Sequence, residues 1–195
     1  MVYPLLLLYS RQLRNAIDIP KVSVLEFTQG EYPKSFRIIY LAYMNDFEAS
    51  KKISDAFGEM PRPEHFTNYR HCDECEEHDE LLRSHNLETL SLADVENPGW
   101  NPICFVTEEG FKYWMPALAR LALEPEVGPP NGWYLPQLLF HLNHKGTSNR
   151  HLAAASLQQR NAVAQFLIHI EDTRPALVNK YGVEEELKLT IDLWA

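Results

Sequence analysis

Apolar residues recur at helical spacing through most of the chain. From Asn45 onward, Phe47, Ala49, Ile53, Ala56 and Phe57 fall roughly 3.6 residues apart, and Gly58 supplies a stop. The P-R-P run at 61–63 then breaks the chain. His71 to Arg83 holds good helix formers and neither Gly nor Pro, which predicts a second helix. Ser91 reads as the N-cap of a short L-A-D-V turn, and Trp100 to Val106 as a short buried extended segment. Thr107 caps the next helix, with Glu108 and Glu109 at its positive end and Phe111, Trp114, Met115, Leu118, Leu121 and Ala122 on one face. Pro116 sits inside that pattern, either kinking one helix or opening another.

Pro125, Pro129, Pro130 and Gly132 form a loop. Trp133 to His144 resumes the helical pattern through Leu135, Leu138, Leu139 and Leu142, and K-G-T-S-N-R follows as a polar loop. Ser156 and Gln159 make a capping box ahead of Val163, Phe166, Leu167 and Ile170. Asp172–Lys180 and Val183–Trp194 read as two closing helices divided by Gly182. The pattern therefore predicts a mainly α protein, a single helical domain over residues 44–195, with one short strand pair near the N-terminus or near Trp100.

Residues 1–43 read differently. They carry five Lys/Arg against three Asp/Glu, whereas the remainder carries thirteen against twenty-four. F-R-I-I-Y-L-A-Y (36–43) has the aromatic and branched content of a strand. One expectation is an N-terminal extension outside the native domain, with Met44 as the natural start. The other is a short helix and one or two strands packed on the main body. The apolar run Leu5–Leu8 has no basic residue before it and no small-residue cleavage site after it, unlike a signal peptide, and is too short to span a bilayer.

At 195 residues the chain can bury a sizeable core. Its net charge of −9 opposes binding to nucleic-acid phosphates and to anionic membranes. Three cysteines are too few, and odd in number, for a secreted disulfide framework, so reduced thiols in a cytoplasm are expected.

The most unusual stretch is H-C-D-E-C-E-E-H-D-E, His71 to Glu80. On a helix beginning at His71, the residues His71, Cys75, His78, Leu82 and His85 form one stripe with Cys72 beside it. Thiolate sulfur and imidazole nitrogen are the donors that borderline-soft Zn2+ prefers. Cys72, Cys75 and His78 would supply three tetrahedral positions, and His71, Cys104, His65 or His85 the fourth. Downstream, no second ligand pair stands at zinc-site spacing. A redox C-x-x-C is the second reading. Asp73, Glu74, Glu76 and Glu77 weigh against it, because a reactive thiolate needs positive potential. The third reading makes Cys72 and Cys75 small buried apolar residues with the acids as a solvated face. Cys104 is expected in the core, the aromatics Trp100, Phe105, Phe111, Tyr113 and Trp114 likewise, and His141, His144 and His151 at a solvated helix end.

P-R-P-E-H-F (61–66), H-C-D-E-C-E-E-H-D-E (71–80), N-P-G-W-N-P-I-C-F (97–105), Y-W-M-P-A-L-A-R-L-A-L (113–123) and Q-Q-R-N-A-V-A-Q-F-L (158–167) together carry a resemblance. Over roughly residues 45–195 the chain resembles a bacterial family of unknown function with an H-C-x-E-C core, a G-W-x-P stretch and a P-A-L helix in that order. The resemblance implies no activity, substrate or catalytic residue. Two function classes follow from the residues themselves. The first is a non-catalytic binding or interaction module whose Cys/His cluster holds structural zinc and whose partner is a protein or small molecule. The second is a metal-dependent, hydrolase-like enzyme with Glu74 or Glu77 as general base.

Overall fold

Most of the longer helices begin where a polar side chain takes up the first free amides. The structure is a computed structural model that describes residues 44–126 and 132–195. The expectations for residues 1–43, and for Pro129 and Pro130 in the loop, lie outside the described residues. Helix α1 (Asp46–Phe57) opens on a capping box: the Asn45 side chain accepts from the Glu48 amide, and Glu48 accepts from the Asn45 amide, both at 2.9 Å. Helix α2 is Asp73–Ser84 and the short α3 is Leu92–Val95, where the Asp94 carboxylate accepts from the Ser91 amide at 2.8 Å. Helix α4 (Glu108–Leu123) is capped by Thr107, and α5 is Leu135–Asn143. Asn149 starts α6 (Arg150–Ala154), and a Ser156–Gln159 capping box starts α7 (Leu157–Thr173). Pro175 opens α8 (Pro175–Tyr181), and α9 is Glu184–Trp194. Gly182, at φ 63°, makes the left-handed turn between the last two.

The protein is mainly α. The helices pack in a closed ring, α7 on α1, α1 on α4, α4 on α5, α5 on α9 and α9 back on α7, while α6 lies against α4. The core inside the ring includes Phe111, Trp114, Phe166, Leu167, Leu187 and Trp194. Backbone carbonyls at helix ends are met from neighbouring elements. Trp194 Nε1 donates to the Leu142 carbonyl at 2.9 Å, Trp133 Nε1 to the Ala122 carbonyl at 3.0 Å, and Gln159 Nε2 to the Ala56 carbonyl at 3.3 Å. Asp46, the first residue of α1, accepts from Arg174 at 2.7 Å and meets His169 Nε2 at 2.7 Å; Arg174 also donates to the Leu123 carbonyl. The Arg174 guanidinium, with His169 behind it, holds the Asp46 carboxyl below the ordinary carboxylate range.

Several expectations are corrected. Phe47 is 75% exposed, because the buried stripe of α1 runs through Ala49, Ile53 and Phe57 only. Residues 100–106 form a 3-10 turn at Pro102–Cys104 rather than an extended segment, since the Asn101 side chain caps the Ile103 amide. The expected strand pair near Trp100 is reduced to a single antiparallel bridge, Thr67 with Val106, among the described residues. Pro116 lies inside one unbroken helix. Asp172 and Thr173 finish α7 instead of opening α8. The K-G-T-S-N-R loop contains a 3-10 turn and the start of α6. Of the aromatics expected in the core, Phe111 and Trp114 are buried, Phe105 and Tyr113 are half-buried, and Trp100 is exposed.

His141 and His151, expected in solvent, are buried, whereas His144 is exposed. Asn149 draws this region inward: its Nδ2 donates to the carbonyls of His141 and His144 at 2.9 and 3.0 Å, while its Oδ1 accepts from the amides that begin α6. The His151 ring stacks on Phe111 at 4.0 Å, and His141 Nε2 lies 3.3 Å from Asn101 Nδ2. Burial pushes His141 down to about 3 and His151 to about 4.

A histidine whose folded pKa is depressed contributes its full stability above the unfolded value of about 6.5 and loses it as pH falls toward the folded value. The melting temperature should therefore stay level above pH 7 and fall steadily between pH 6.5 and 4, with each histidine costing on the order of 3 kcal/mol by pH 4. The Asp46 pair weakens only below this window. A flat melting temperature between pH 6.5 and 5 would contradict the burial of both rings. His151→Phe, which keeps the stack on Phe111, should shallow the slope.

Candidate metal centre

Helix α2 stands outside the ring, packed chiefly against the 3-10 turn Pro102–Cys104. The residues before it strap it down. The Arg62 guanidinium donates to the carbonyls of Arg83 and His85 at 2.8 Å each, satisfying the free C-terminal end of α2, and lies over the ring of Phe66. Thr67 Oγ1 donates to the Cys75 carbonyl at 2.7 Å. The buried Asp79 carboxylate accepts from the amides of Phe66 and Thr67 at 2.6 and 3.1 Å, and its other oxygen meets His65 Nδ1 at 2.7 Å.

The first helical residue of α2 is Asp73, so Cys72 is the N-cap, with extended backbone at φ −165° and ψ 165°. His71 precedes it, in a turn whose amide bonds to the Asn68 carbonyl. The expected helix from His71 is thus corrected by two residues. The shift changes which side chains meet. N-cap and N3 are the two positions whose side chains close a capping box. Here they are Cys72 and Cys75, and their sulfurs lie 3.1 Å apart. His71 Nδ1 lies 3.7 Å from the Cys75 sulfur, and the three donor atoms all fall within 4.8 Å of one another. His71 and Cys72 are exposed, and Cys75 is buried in the first turn. This group can hold a metal ion.

A tetrahedral zinc with bonds of about 2.3 Å to sulfur and about 2.0 Å to nitrogen would set its ligands about 3.8 Å apart for two sulfurs and about 3.5 Å for sulfur and nitrogen. The Cys75–His71 separation already suits that edge. The two sulfurs would open by roughly 0.7 Å, which the N-cap, free of the helical ladder on its N-terminal side, allows. The Cys75 thiol, with the His71 ring contributing, holds the Cys72 thiol below its ordinary range; the Cys72 sulfur and then burial push Cys75 above it. Of the nearby acids, Glu74 acts on Cys75.

His78, expected as a ligand with Cys72 and Cys75, lies outside this group. One turn into α2 it faces inward, fully buried, its ring 4.6 Å from Trp100 and 4.4 Å from Phe105. Both its ring nitrogens lack a hydrogen-bond partner, and Glu74 at 3.8 Å is beyond hydrogen-bond reach. Burial lowers its pKa, so the ring is neutral and the Glu74 contact is not an ion pair. The other candidates for a fourth ligand are engaged or elsewhere. His65 is bonded to Asp79 and stacked on Tyr69 at 3.7 Å, and His85 lies 3.4 Å from Asp94. Cys104 is exposed rather than in the core, because the 3-10 turn rotates it away from Ile103.

Asp79, Thr67 and Arg62 hold α2 in place without being part of the Cys/His pattern. Asp79 had a signal: it falls four residues after Cys75 and three before Leu82, on the buried stripe, where an acid needs partners. The site and fold together define a helical domain bearing an exposed dithiol–imidazole cluster at a helix N-terminus. No protein-family model matches the chain, and no characterised protein or solved structure matches it significantly.

Asp79→Ala should destabilise the protein by on the order of 3 kcal/mol, since it leaves two buried amides unpaired. Urea unfolding measures this. A change below about 1 kcal/mol would mean that the strap is held by something other than this carboxylate.

Proposed function

We propose that His71, Cys72 and Cys75 hold a zinc ion on the surface of the domain, and that the protein is a non-catalytic interaction module built around it. The observation that carries this is the convergence of two sulfurs and one imidazole within 4.8 Å at an exposed helix start. Two thiolates and one nitrogen suit a borderline-soft cation, and the exposed Asp73, Glu74, Glu76 and Glu77 favour any cation there.

With three donors from the chain, a tetrahedral ion would have one position left for water or for a donor from a partner. A metal bound here bridges only residues 71–75, a short loop whose closure adds little to global stability. Its use is therefore at the surface, toward a protein or small-molecule partner. The acidic surroundings disfavour nucleic acid and anionic membranes. Among the described residues no helix is long and apolar enough to cross a membrane. Free thiols of this kind persist in a reducing compartment, so we assign the protein to the cytoplasm. The hydrolase alternative has less behind it, as the Glu74 carboxylate lies near His78 and contributes to raising the Cys75 pKa.

Elemental analysis of protein purified under reducing conditions should find one zinc per chain, lost in the Cys72→Ser/Cys75→Ser double variant with little change in melting temperature. His71→Ala removes one of only three ligands from the chain and should weaken zinc on the order of 100-fold, at least as much as losing an outer-shell partner does. His78→Phe should leave zinc affinity unchanged. A parent protein without stoichiometric metal would refute the proposal, and loss of zinc in His78→Phe but not in His71→Ala would refute this ligand set.

A further inference from the structure

We infer that Cys72 and Cys75 form a thiol–disulfide couple that exchanges faster with cationic or neutral disulfides than with anionic ones. The inference uses the metal-free reduced protein and does not rest on the zinc reading. Its basis is the asymmetry of the pair. The sulfurs are 3.1 Å apart, and a disulfide of about 2.05 Å needs roughly 1 Å of closure. Cys75 is fixed, buried in the first turn with its carbonyl held by Thr67. Cys72 is exposed and sits at the N-cap, where the backbone is extended. An incoming disulfide therefore meets Cys72 first, and Cys75 waits behind it as the resolving thiol.

The chemistry balances in two exchanges. The Cys72 thiol releases its proton to solvent, and its sulfur attacks one sulfur of an external disulfide. A mixed disulfide forms and the first external thiolate leaves, taking up a proton. The Cys75 sulfur, losing its own proton, then attacks the Cys72 sulfur and expels the second external thiolate, which is protonated in turn. The external disulfide is reduced to two thiols, and the protein is oxidised to an internal disulfide. The same two sulfurs serve the metal, so the oxidised protein has no thiolate left to bind it.

Charge sets the substrate class. Asp73, Glu74, Glu76 and Glu77 are all exposed within five residues of Cys72 and outnumber the exposed Arg70, so the field around the sulfur is negative. An anionic disulfide is repelled there and a cationic one drawn in, and salt removes the difference.

The test is to treat metal-free, reduced full-length protein with cystamine, hydroxyethyl disulfide or glutathione disulfide at equal concentrations. The internal disulfide is followed by intact mass as the loss of two hydrogens. Cystamine should react fastest and glutathione disulfide slowest, with a spread on the order of tenfold at low salt that collapses at 1 M salt. Because Cys104 is also an exposed thiol, both variants are made in a Cys104→Ser background, where Cys75→Ser should accumulate the mixed disulfide on Cys72 and Cys72→Ser should stay largely unmodified. Should either variant fail to fold, the two-hydrogen loss and the reactivity order of the parent still decide. Failure of every reagent to give the internal disulfide overturns the couple. Formation with glutathione disulfide as fast as with cystamine at low salt overturns the substrate class. Zinc retention by reduced protein, measured separately, bears only on the metal proposal.

Discussion

The site rests on one buried carboxylate. An acid removed from water is tolerated only when its oxygens are bonded, and Asp79 meets that demand with the amides of Phe66 and Thr67 and the ring of His65. Those bonds fix the strap at 65–67, and the strap is what α4 builds on. The Thr107 amide donates to the Phe66 carbonyl at 2.7 Å, and Gly110 packs so close that a Cβ there would stand 2.8 Å from the same oxygen. Helix α2 is thus tied to the bundle through a polar seam rather than through the ring packing that holds the other long helices.

That arrangement separates the site from the core. Cys75 lies on the same buried stripe as His78, Asp79 and Leu82, at its first turn, where it adjoins the exposed Cys72 and His71. The inward residues hold the helix in place, and the outward end is free to present two thiols and an imidazole. His78 has the appearance of a ligand in the sequence, yet it spends its ring between Trp100 and Phe105. A neutral imidazole there with both nitrogens unpartnered is a poorer core residue than an apolar one, which sets His78 apart from His141, whose Nε2 lies near Asn101.

Most helices were legible because their signals are local. Capping boxes at Ser156, the Thr107 cap and the Gly182 turn each depend on residues within one turn of one another, and the apolar spacing marks the inner face. The Cys/His cluster was legible as a cluster for the same reason. Its membership was not. The N-cap at Cys72 sets its sulfur against Cys75 beside His71, while packing on Trp100 and Phe105 takes the His78 ring away from them.

The sequence by itself determined that the protein is mainly α, where most helices begin and end, and that cysteines, histidines and acids cluster between residues 71 and 80. Only the tertiary structure decided that His141 and His151 are buried, that Cys104 is exposed, and that Asp79 anchors the strap. Caps and periodicity are set by neighbours along the chain. Burial and polar partnership depend on groups tens of residues away, as Asn101 and His141 are, and packing alone brings those together.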